Sequence, residues 1–124
     1  MNKYLFAPSE YWELTKSQRE KITNGCGSKR FGSIVVPDTF YGLRVSEACN
    51  IHDFMYTIGE TIEDKYIADR VFLNNLIRII DKHTNWKILN RLRCRRAYKY
   101  YFFAKVFGGP SFWENKNKPL NMGC

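Results

Sequence analysis

The sequence predicts a single, mainly α-helical domain spanning residues 1–124. Two observations carry that reading. Apolar residues at Ile62, Tyr66, Val71-Phe72-Leu73, Leu76 and Ile79-Ile80 recur at helical spacing and make one broad face. Helix punctuation also brackets three long segments, with Ser46, Thr61 and Thr84 or Asn85 as caps and Gly59 and Gly108-Gly109-Pro110 as stops. A chain of this length can bury a real core without metal or disulfide support.

Taken in order, Ser9 is expected to cap a short helix through Leu14 that buries Tyr11, Trp12 and Leu14. Ser17-Gln18-Arg19-Glu20 has capping-box spacing and predicts another turn or two to Ile22. Asn24-Gly25-Cys26-Gly27-Ser28 then breaks the helix, since two glycines so close mark unusual backbone torsions. Phe31 to Val45 reads as loop, with a brief strand at Ser33 to Val36. A helix follows from Ser46 to Ile58, then a longer one from Thr61 to about Asp81. A third long helix, over about 85–107, ends at Gly108, and the tail 111–124 reads as loop.

Twenty Lys and Arg against twelve Asp and Glu give a net charge of +8, which favours anionic partners such as nucleic acid or acidic lipid. From Asn85 to Phe107 there are seven basic residues and no acidic one, as expected for a solvated basic helix face. No apolar run approaches the roughly 20 residues that span a bilayer. Met1 to Glu20 lacks the apolar core of a secretory signal, so the expected location is cytoplasmic, or release by a non-Sec route or phage lysis. The four cysteines are too widely spaced for a zinc knuckle; free thiols and one or two bridges are both compatible with them.

Chemistry concentrates at Ala48-Cys49-Asn50-Ile51-His52-Asp53-Phe54-Met55-Tyr56. Imidazole titrates near neutrality and is the usual general base. Tyr56 lies one turn from His52, on the same helix face. On the next helix Asp69 is set among Ile67, Ala68, Val71 and Phe72, where a carboxylate needs a buried partner. An imidazole from the facing helix would satisfy it and be oriented by it, with Tyr56 donating to the same carboxylate. Asp53 must point elsewhere, toward the glycine-rich loop. There a hard cation such as Ca²⁺ would take its carboxylate plus backbone carbonyls.

Asn24-Gly25-Cys26-Gly27-Ser28, Phe31-Gly32, Val36-Pro37, Ala48-Cys49-Asn50-x-His52-Asp53-x-x-Tyr56 and Lys65-x-x-Ala68-Asp69-x-x-Phe72 together resemble secreted phospholipase A2. The resemblance is to the group twelve type and its bacterial and phage relatives, and it covers about 23–80. It implies two long antiparallel helices carrying a His–Asp dyad behind a glycine-rich calcium loop, with a short N-terminal helix and an additional basic C-terminal helix. It further implies His52 as general base, Asp69 as the carboxylate that orients it, and Tyr56 as that carboxylate's support. Asp53 becomes the calcium ligand with the carbonyls of Gly25, Gly27 and Lys29, and the Gly27 amide an oxyanion donor. The implied reaction is calcium-dependent hydrolysis of the sn-2 ester of glycerophospholipids by a monomer at an anionic membrane surface. Arg91, Arg95, Arg96 and Lys99 would hold that membrane.

Departures accompany the resemblance. Cysteines of the family fall at Ala48 and Met55, and their bridge partners at Asn75 and Ala68, so both ends of two bridges are absent together. The bridge implied to remain is Cys26–Cys49, with Cys94–Cys124 as a further expectation. Lys29 and Arg30 stand where the family has a further glycine, placing positive charge near the expected cation. Two alternatives follow: a phospholipase-fold binding or structural module without catalysis, and a nucleic-acid binder using the basic helix, which no recognised motif supports.

Overall fold

The computed structural model describes residues 4–22, 30–31, 34–35, 37–114 and 116. Among them the chain is mainly helical: α1 (Ser9–Glu13), α2 (Lys16–Ile22), α3 (Ser46–Ile58), α4 (Ile62–His83), α5 (Lys87–Phe107) and α6 (Gly109–Trp113). Two hairpins separate α2 from α3, pairing β1 (Arg30–Phe31) with β2 (Ile34–Val35) and β3 (Thr39–Phe40) with β4 (Leu43–Arg44). Arg30 faces Val35 and Thr39 faces Arg44 in antiparallel register. No helix among the described residues is long and apolar enough to cross a membrane.

Helix boundaries fall close to those expected, but several caps differ. α2 is capped two residues earlier than the sequence pattern suggests: the Gln18 amide donates to Thr15 Oγ1 at 3.1 Å and the Thr15 amide to Gln18 Oε1 at 2.9 Å. Ser9 and Ser46 are the first residues of α1 and α3, not their caps. The Ser46 hydroxyl instead donates to Asp38 Oδ2 at 2.8 Å. Thr61 does cap α4, in a reciprocal box with Asp64. α5 begins at Lys87 after Trp86 with no side-chain cap, so neither Thr84 nor Asn85 serves. Thr84 Oγ1 accepts from Arg93. Past Gly108 the chain turns into α6, where a loop is expected, because Phe112 has a fully buried seat to fill.

The β3–β4 hairpin is absent from the sequence reading, since two-residue strands show no alternation. Tyr41 (φ 49°) and Gly42 (φ 83°) both take left-handed torsions, as a two-residue turn demands. Tyr41 has no glycine freedom, and α5 holds it in place: Arg93 Nη2 donates to its carbonyl at 2.8 Å, and Arg96 lies 5.1 Å above its ring. Arg93 Nε also donates to the Phe40 carbonyl at 3.0 Å. Arg93 is therefore buried structural cation, not part of a solvated basic face.

α4 packs against both α3 and α5, and the two longest helices are α4 and α5 rather than the pair flanking the Gly59 turn. The main core gathers Ile51, Phe54, Phe72, Leu76 and Ile80 with Tyr11, Phe40 and Tyr100. Trp12 and Leu14, expected inside, are only partly buried. A smaller cluster of Tyr56, Ala68 and Phe112, with Met55 and Trp113 against it, closes the end of the bundle near Gly59. Asn75, where the sequence resemblance places a cysteine, is fully buried and ties the N-terminal segment to α4. It accepts from the Phe6 amide and donates to the Phe6 carbonyl, both at 2.8 Å. Replacing Asn75 with Ala should lower unfolding free energy by about 1–3 kcal/mol in urea titration, because the Phe6 backbone and Arg78 lose their partner.

Candidate functional site

α3 and α4 meet at one buried carboxylate. His52 and Tyr56 lie a turn apart on α3, and Lys65 and Asp69 a turn apart on α4, so each pair shares a helix face. His52 Nε2 lies 2.8 Å from Asp69 Oδ1, and the Tyr56 hydroxyl donates to the same oxygen at 2.7 Å. Lys65 Nζ donates to Asp69 Oδ2 at 2.9 Å. His52 and Asp69 are each 1% exposed. The three residues that the sequence singles out as base, orienting carboxylate and supporting tyrosine are thus in mutual contact.

Protonation follows from this accounting. Burial alone would raise the Asp69 carboxyl, but the hydrogen bond and charge of His52, with donors from Tyr56 and Lys65, hold it below the ordinary carboxylate value. An ionised carboxylate only accepts, so His52 Nε2 carries the donated proton. In the neutral imidazole Nδ1 is then the basic nitrogen. Burial, the Asp69 charge and the hydrogen bond to it push the Tyr56 hydroxyl far up, keeping it a donor.

Two further residues, given no role from the sequence, adjoin this group. Phe72 stacks on the His52 ring at 4.4 Å between centroids, with 23° between planes. Its signal is its place three residues after Asp69. Lys65 is 3% exposed, and only its four-residue spacing from Asp69 hints at the contact. That ion pair stands beside the His52 contact at the same carboxylate.

Gly108 brings the end of α5 against this group. A Cβ there would lie within 2.5 Å of the Tyr56 hydroxyl and collide with the Ala104 carbonyl. The glycine is required by that close approach.

Asp53 is half-buried beside His52 on α3, and its charge reaches both Tyr11 and Tyr56. Gly25, Gly27 and Lys29, the other expected calcium ligands, and the Gly27 amide as oxyanion donor lie outside the described residues. Among the described residues no three His, Cys, Asp or Glu side chains gather to hold a metal. Asp53 fits calcium as one hard, charged oxygen donor; the remaining six or so oxygens that calcium takes would come from elsewhere. Cys49 is buried and disulfide-bonded, while Cys26 lies outside the described residues. Cys94 is a free thiol with Sγ 3.5 Å from Asn90 Oδ1, which corrects the expected bridge to Cys124.

Arg91, Arg95, Arg96 and Lys99 are exposed on α5. Tyr98 and Phe102 emerge among them at 56% and 55% exposure, whereas Tyr100 is buried and donates to the Pro37 carbonyl.

Comparison of the chain with family models, with curated proteins and with solved structures finds no match.

Asp69→Asn leaves the Lys65 ammonium buried without its counter-charge and should cost about 3–5 kcal/mol at neutral pH. The sign of its pH dependence is set by the lowered carboxyl. Its contribution is complete above the unfolded value near 3.8 and disappears as pH falls through the lower folded value. Denaturation curves of the two proteins should therefore differ at pH 7 and converge in acid.

Proposed function

We propose that this chain is a calcium-dependent esterase of phospholipase A2 type, cleaving the sn-2 ester of glycerophospholipids at an anionic membrane surface. The observation that carries the reading is the shared oxygen of Asp69, which holds Nε2 of His52 and the Tyr56 hydroxyl together one residue from a second carboxylate, Asp53. Nδ1 of His52 takes a proton from water, and the water oxygen attacks the ester carbonyl. The imidazolium, steadied by Asp69, then returns that proton to the departing lysophospholipid alkoxide. Fatty acid and lysophospholipid are the products. Asp53 with the carbonyls of Gly25, Gly27 and Lys29 would hold calcium, which when bound supplies positive charge for the ester carbonyl oxygen. A Cys26–Cys49 bridge would fasten the glycine-rich segment to α3.

The outward stripe of α5 supports the choice of an anionic bilayer. Arg91, Arg95, Lys99 and Lys105 alternate with Ile88, Tyr98, Phe102 and Val106 at helical spacing, and the helix contains no acidic residue. Apolar groups to enter the headgroup layer and cations to meet its phosphates are thus on one face.

A second reading keeps the fold without catalysis, as a binding or structural module. It is favoured by the 1% exposure of His52, which a satisfied structural histidine also has. Fatty-acid release from phosphatidylglycerol vesicles decides between them. The wild-type chain with calcium should release fatty acid, and His52→Gln or excess chelator should lower the rate by about 10²–10⁴-fold. Undiminished hydrolysis in that variant rules the mechanism out, and silence of the wild-type chain leaves the second reading.

Replacing Arg95 and Lys99 together with Ala should weaken sedimentation with anionic vesicles by about tenfold or more, at about 1 kcal/mol for each charge. Binding to zwitterionic vesicles should change little.

A further inference from the structure

We propose that Lys65 is a positioning residue for the His52–Asp69 pair, fixing the Asp69 carboxylate by anchoring it to the last turn of α5. The inference deepens the hydrolase reading and rests on it for its kinetic part only.

Lysine is almost never fully buried unless its charge is paired, yet Lys65 is 3% exposed. Its ammonium has three protons, and three acceptors surround it. Asp69 Oδ2 is at 2.9 Å, the Ala104 carbonyl at 3.1 Å and the Lys105 carbonyl at 3.3 Å. The last two belong to the last turn of α5, at the negative end of the helix dipole, and the Ala104 carbonyl takes Lys65 in addition to the Gly108 amide at 3.0 Å. One cation therefore joins a carboxylate on α4 to the terminus of another helix.

The consequence for the site is a division of labour between the two Asp69 oxygens. With Oδ2 held by Lys65, Oδ1 is presented to His52 and Tyr56. Rotation of the carboxylate would break bonds at both oxygens at once. Without Lys65, Oδ2 has no cationic donor and is free to turn toward the imidazole, so the Nε2 proton meets either oxygen.

The test compares Lys65→Met with Arg93→Met. Arg93 is also a buried cation bonded to backbone carbonyls, but 11 residues before Ala104 on α5, about 16 Å along the helix. The readout is the far-downfield proton resonance of His52 Nε2–H. Lys65→Met should shift or abolish it while Arg93→Met leaves it in place. In vesicle hydrolysis, Lys65→Met should lower kcat by about 10–100-fold, as loss of an outer partner of a site histidine does, with KM nearly unchanged. If Lys65→Met does not fold, Lys65→Gln, which retains an N–H donor but neither the charge nor the reach to α5, is measured in its place with the same expectation. A resonance unmoved by either Lys65 substitution, or moved equally by Arg93→Met, overturns the proposal. Absence of hydrolysis by the wild-type chain overturns the hydrolase reading and leaves the resonance comparison to decide the role of Lys65.

Discussion

The structure depends on keeping the Asp69 charge satisfied where water does not reach it. A buried carboxylate is costly unless every lone pair that matters is met by a donor. Two elements supply those donors, and a third secures one of them. α3 provides the imidazole and the phenol, α4 the lysine one turn earlier, and α5 the carbonyls that share that lysine. The charge is therefore a register pin: a shift of one residue between α3 and α4 would carry His52 and Tyr56 off the carboxylate together.

Around this pin the packing is arranged to allow close approach. Gly108 lets the end of α5 reach the Tyr56 hydroxyl, and α6 then folds back so that Phe112 meets the Tyr56 ring edge-on at 5.2 Å. Phe72 covers one face of the imidazole. At the other end of α5, Arg93 performs a comparable service for the β3–β4 hairpin, taking the carbonyls of Phe40 and Tyr41. Both buried cations thus dock backbone from elsewhere in the chain, and neither belongs to the exposed basic stripe.

The positions where the resemblance places further cysteines are filled by other kinds of attachment. Ala48 and Ala68 are fully buried small residues, and Met55 packs against the cluster containing Ala68. Asn75 grips the Phe6 backbone with a reciprocal pair of hydrogen bonds, as a strand would. Close packing and hydrogen bonding occupy those sites, each holding the helices by contacts that form only when the tertiary fold does.

Much of the helical framework was legible from local rules. The Thr61 cap, the stops at Gly59 and Gly108, and the helical spacing of His52 with Tyr56 are properties of neighbouring residues, as is the isolation of Asp69 in an apolar run. Those rules act over three or four residues, and that is the range of capping and side-chain pairing along a helix. The burial of Arg93, the anchoring of Lys65 on Ala104 and Lys105, and the seat of Phe112 that turns a polar tail into α6 were decided only by tertiary structure. Each depends on backbone groups 30 or more residues away in the chain, or on a cavity that several helices enclose. Charge and spacing alone cannot tell a lysine in solvent from one sealed against a carboxylate, because desolvation exists only once the helices have met.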